Sequence, residues 1–200
     1  MGDSPKERKT LREKIAKTML VAAALALFSS VFFPYWHLTV RAPQYPKGLR
    51  VQIYLNRVTG DIQEIDTLNH YIGMRPLGEA AKIERRFAIP GLAVLLAALL
   101  IAVFIRGKWS ALFIVPAVLF PAIFAGDLYF WLRDFGLHLN PKAPLSSSVK
   151  PFIPPLLGHG KIAQFQAVAD FSWGHGLSML AMILCVAVIA LRFFPPKNKI

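Results

Sequence analysis

Four long apolar runs, separated by segments that hold nearly all of the charge, constrain this 200-residue chain more than any other feature. A helix of about 20 apolar residues covers a hydrocarbon core of about 30 Å, and in oil every backbone N–H and C=O must find its partner within the protein. The first run is Thr18 to Val40 (TMLVAAALALFSSVFFPYWHLTV). As a helix it would extend about 35 Å at about 1.5 Å per residue. The second, Phe87 to Ile105, carries no charge. The third, Ala111 to Leu132, contains only Asp127, and the fourth, Phe171 to Phe194, holds His175 near its start and Arg192 near its end. With 55% hydrophobic and 17% charged residues, the composition is that of a chain partly solvated by lipid.

The basic leader with Lys6, Arg8, Lys9, Arg12, Lys14 and Lys17 resembles the start of a signal peptide, but the apolar stretch is long and no A-x-A site follows it. An uncleaved signal anchor is expected. The leader, the RGKWS turn and the tail from Arg192 hold close to half of the 23 Lys and Arg residues in a small share of the chain. That density puts both termini on the cytoplasmic side. Tyr35, Trp36, Tyr129, Trp131 and Trp173 stand at outer span ends and Trp109 at an inner turn, where amphipathic rings favour the headgroup layer.

The expected fold is therefore an all-α membrane protein with four transmembrane helices, 18–40, 87–105, 111–132 and 171–194. They are joined by a basic tail 1–17, an outer loop 41–86, a cytoplasmic turn 106–110, an outer loop 133–170 and a tail 195–200. In the first loop Val51, Ile53 and Leu55 alternate with polar residues and Asn56 to Asp61 favours a turn, which predicts a short β-hairpin. A helix capped by Asp66 or Thr67 follows. In the second loop five prolines exclude a long helix. Its apolar Phe152, Ile153, Leu156 and Leu157 suggest packing against the first loop, and Lys161 to Val168 reads as a short interfacial helix.

The net charge of +12 is explained by span flanks rather than by a nucleic-acid surface, and no nucleic-acid partner is expected. The single cysteine, Cys185, lies in an apolar run and reads as a small buried hydrophobe. Chemistry-bearing residues gather near the outer face: His37, His70, His138 and His159, with Asp127 and His175 inside spans, and in one reading some of these converge with Met74 to hold copper. If the turn at 70–74 is helical, His70 and Met74 share a face at i and i+4, and imidazole with thioether is a soft pair suited to Cu(I). A structural role is the competing reading: a turn-capping His70, a gap-filling Met74, and an Asp127 that pairs with Arg133 or caps backbone at the interface. A proton relay through Asp127 and His175 is a third. The chain has no P-loop, G-x-S-x-G, H-E-x-x-H, C-x-x-C or C-x-x-C-H, so a non-enzymatic role is expected.

Three strings add a context: GDIQEIDTLNHYIGMRPL, DLYFWLRDFGLHLNPKAPL and PPLLGHGKIAQFQA. They resemble small membrane proteins encoded beside bacterial nitrous oxide reductase, a periplasmic copper enzyme of denitrification. The resemblance covers about half of the chain, and LNHYIGM is its most specific part. Here His138 is displaced by one position from the relatives' pattern. The resemblance implies a multi-pass protein of the bacterial cytoplasmic (inner) membrane, an accessory to nitrous oxide respiration, with copper as the metal in its setting. A structural or electron-transfer subunit of a respiratory membrane complex, with a haem or quinone contact, and a small-solute or ion permease are the alternatives.

Overall fold

The computed structural model describes residues 5–105, 107, 109–162 and 165–193. The cytoplasmic tail expected at 195–200 and Arg106 and Lys108 of the RGKWS turn lie outside the described residues. Along the chain run helix α1 (Pro5–Ser30), strands β1 (Trp36–Ala42), β2 (Tyr45–Ile53) and β3 (Val58–Gly60), and helix α2 (Ile62–Ile72). Helices α3 (Lys82–Phe104) and α4 (Ser110–Leu137), strands β4 (Gly158–Ile162) and β5 (Phe165–Phe171), and helix α5 (Trp173–Phe193) follow. Three of the helices, α3, α4 and α5, are long and apolar enough to cross a membrane.

The all-α expectation is corrected, because five strands form one antiparallel sheet in the order β3-β2-β1-β5-β4. The expected span at 18–40 is corrected with it. α1 stops at Ser30, and Trp36 to Ala42 is the central strand. Pro34 has no N–H to give a helix and restricts Phe33 before it. Beyond it, Trp36, Leu38, Val40 and Ala42 are buried while His37, Thr39 and Arg41 alternate with them, a strand's period of two. Of the interfacial helix expected at Lys161 to Val168, the described residues Lys161, Ile162 and Phe165 to Val168 are strand instead, with Ala167 buried and Gln166 exposed. The β-hairpin of the first loop is present: Val51, Gln52 and Ile53 pair with Gly60, Thr59 and Val58.

The chain divides into two compact units, residues 1–30, 90–122 and 177–200, and residues 31–89 and 123–176. In the first, Leu20, Ala23 and Leu27 of α1, Leu99 and Ala102 of α3, Ile114 and Ala117 of α4, and Ala181, Cys185 and Val188 of α5 are buried. Alanines among them let helix backbones approach closely, the usual basis of packing in lipid. Leu25, Val94, Leu112, Leu119, Ile183 and Val186 are exposed, which suits a lipid solvent.

In the second unit one face of the sheet is a core of Trp36, Leu38, Val40, Leu49, Val51, Ala167 and Ala169, closed by Ile65 and Ile72 of α2 and Leu128 of α4. Burying a large apolar side chain of this kind contributes about 1.5–3 kcal/mol. The Trp36 indole donates a 2.7 Å hydrogen bond to the Leu156 carbonyl, so the proline-rich stretch is fastened to the sheet. Tyr35 and Trp36, 0% and 1% exposed, are core residues and not part of an aromatic belt. Trp109 and Trp173 are exposed as a belt requires.

The two loops fold together. Asn140 N donates to Gly73 O at 2.7 Å and Leu145 N to Tyr71 O at 3.0 Å. Gly73 ends α2 in the left-handed conformation (φ 84°), and a Cβ there would lie 2.7 Å from Asn140 O. Gly136 permits a second close approach, since its Cβ would stand 2.0 Å from Phe152 O. Neither Asp66 nor Thr67 caps α2. Asp61 occupies the cap position and accepts from Arg50 N, whereas Asp66 accepts from Leu77 N.

Candidate functional site

The sheet has a second face, built from the residues that alternate with its core. The β1 register sets His37 opposite Gln52 on one side and Asp170 on the other, and Arg41 opposite Gln166. Through β5 this face continues to His159, opposite Val168, and Lys161, opposite Gln166. Arg50 pairs with Thr39. Arg41, Arg50, His159, Lys161 and Gln166 are exposed, and His37, Thr39, Gln52 and Asp170 half-buried. Three permanent cations and two imidazoles thus share one face with the carboxylate of Asp170, whose Oδ2 is 3.8 Å from His37 Nε2. Such a surface can attract an acidic partner and hydrogen-bond along its rows.

Two residues expected to take part in a metal site, His37 and His159, therefore lie on one face, but not at one point. They are two strands apart and two positions out of register, a Cα separation of about 12 Å from ordinary strand spacings. Neither belongs to a group of three or more potential metal ligands among the described residues.

The remaining candidates have separate settings. His70 is exposed near the end of α2, beside the Tyr71 ring. The i and i+4 pairing with Met74 does not form, because α2 ends at Ile72 and Gly73 reverses the chain. Met74 instead packs against the sheet core. His138 is held by Asp134, with Nδ1 2.9 Å from Oδ1. His175 stacks on Phe171 with ring centroids 4.1 Å apart and has Phe124 and Tyr35 nearby. Asp127 is half-buried in α4, one turn before Trp131. Neither Arg133 nor His175 forms an ion pair with it among the described residues. Among those residues no three His, Cys, Asp or Glu side chains gather as a metal site would require.

Sequence reasoning missed the ionic cluster that joins the exit of α2 to the end of α4. Arg75 pairs with Asp134, its guanidinium lying 4.3 Å over the Phe135 ring, and Asp134 also holds His138. The i,i+4 spacing of Asp134 and His138 was a signal for half of it. Arg75 comes from the other loop and no spacing reports it. No protein family, curated protein or solved structure is found to match this chain.

Proposed function

We propose that the chain is a non-enzymatic accessory protein of the bacterial cytoplasmic membrane that docks an acidic partner on the open face of its sheet, in support of copper-enzyme maturation. The observation that carries this reading is the convergence of Arg41, Arg50, Lys161, His37 and His159, from two distant segments, on one polar face. Cations arranged in this way raise encounter rates with an acidic surface and fix its register more than they add affinity. The loop strings that resemble companions of nitrous oxide reductase suggest that the partner is that enzyme or a protein delivering copper to it. Copper in this reading belongs to the partner's chemistry, and the dispersal of the histidines favours docking over storage.

Four crossings with both termini in the cytoplasm complete the proposal. Arg12 of α1 donates to Leu191 O in the last turn of α5, and Gly174 N in the first turn of α5 donates to Pro34 O just past the end of α1. Contacts at both ends of α5 support α1 as its companion, although only Thr18 to Ser30 of α1 is apolar.

The experiment is to measure copper in nitrous oxide reductase purified from cells that lack this protein, from wild-type cells, and from cells with Arg41→Glu, Arg50→Glu and Lys161→Glu combined. Copper-poor enzyme is expected in the deletion and in the charge-reversed strain, with the variant present in the membrane at normal abundance. Fully loaded enzyme in the deletion would refute the reading.

A further inference from the structure

A cleft of about 600 Å³ opens in the first unit, lined by Lys9, Lys14 and Lys17 of α1, Arg192 of α5 and Gly107 of the α3–α4 connection. Its volume is in the range of sites for small ligands. Thr10, Glu13, Lys14 and Lys17 recur at intervals of three and four, so one face of α1 delivers them together. Arg192 comes from the last turn of α5 with its side chain only 2% exposed. Its Nη1 donates to Ala102 O of α3 at 3.1 Å, and its Nη2 lies 3.7 Å from Glu13 Oε2.

Charge decides what this cleft can hold. Four cations face one carboxylate, and Lys14 and Lys17, one turn apart, repel each other unless an anion lies between them and the solvent. Gly107 and Arg192 stand where α3 and α5 end, so the cleft lies at the ends of two helices apolar enough to cross a membrane. Basic pockets between helices at that level are suited to phosphate-bearing headgroups.

We propose that the cleft is a phosphate oxyanion site occupied by the headgroup of an anionic phospholipid. Lys9, Lys14 and Lys17 contact the phosphate from one side, and Arg192, held by α3 and Glu13, forms the floor. Glu13 limits affinity by sharing Arg192 with the ligand. Soluble phosphate has the same chemistry, and the test separates the two sources.

The full chain in detergent is presented with phosphatidylglycerol, cardiolipin or phosphatidylcholine, and bound lipid is counted by native mass spectrometry. Wild type is expected to retain the anionic lipids over phosphatidylcholine. Lys9→Gln, Lys14→Gln and Lys17→Gln combined should weaken retention roughly a hundredfold, at about fivefold per cation. Glu13→Gln should strengthen retention, a result that misfolding cannot produce. Equal retention by wild type and the triple variant, or weaker retention by Glu13→Gln, overturns the proposal. Displacement of the lipid from wild type by millimolar inorganic phosphate overturns the lipid assignment.

Discussion

Replacing Gly73 with alanine tests the joint between the two loops. At φ 84° an L-residue is in the left-handed region, which costs about 1–2 kcal/mol when a Cβ is present. That Cβ would also stand 2.7 Å from Asn140 O and 2.9 Å from Asn140 N. Backbone must therefore move, and the hydrogen bonds Asn140 N to Gly73 O and Leu145 N to Tyr71 O are the first to lengthen. Losing one of them costs about another 1 kcal/mol, for a total of about 2–3 kcal/mol. Hydrogen exchange of the full chain in detergent reads this directly. The amides of Asn140 and Leu145 should exchange about thirty- to a hundredfold faster, at about 1.4 kcal/mol per tenfold. Gly78 has no left-handed backbone and no atom near a built Cβ, so Gly78→Ala should leave exchange unchanged. Unaltered protection at Asn140 and Leu145 in Gly73→Ala would refute the claim that the loops are joined there.

Trp36→Phe loses the hydrogen bond to Leu156 O and part of a buried ring, and should lower stability by about 1–3 kcal/mol in denaturant titration. Met74→Ala should destabilise by about 1–2 kcal/mol through lost packing, whereas His70→Ala should stay within about 0.5 kcal/mol because its side chain is exposed. If His70→Ala proves the more damaging of the two in the same titration, the core placement of Met74 is wrong. For the proposed topology, a membrane-impermeant maleimide on intact cells should label His159→Cys and spare Lys9→Cys until permeabilisation. The buried Cys185 should stay silent throughout.

The three most apolar helices were legible in the sequence because apolar runs of this length are satisfied by helices apolar enough to cross a membrane, and α3, α4 and α5 fall on 87–105, 111–132 and 171–194 with changes of up to five residues at their ends. The first run misled because Phe32, Phe33, Leu38 and Val40 carry apolar side chains on past the end of α1 at Ser30, while the alternation from Trp36 onward is that of a strand. Hydropathy averaged over a window cannot distinguish a tryptophan buried in a sheet from one at the lipid surface. Strand β4 gave still less, since Gly158 and Gly160 supply no side chains to the pattern and its partner is β5. The spacing of His70 and Met74 assumed a turn of helix that Gly73 ends, and no pattern in the sequence marks that end except the glycine itself.

What the sequence left hidden is non-local, and this bears on how the docking face arises. Trp36 to Arg41 pairs on one side with β2, which follows almost at once, and on the other with Phe171 to Gln166, which is made only after α3 and α4. Until then β1 is an edge with unpaired N–H and C=O groups, a template for pairing with other chains. His37 and Arg41 can therefore face Asp170 and Gln166 only in a chain that has completed both loops. On the docking reading, the surface that an acidic partner recognises is absent from every incomplete or half-inserted form, so recognition of the partner reports that the whole chain has folded.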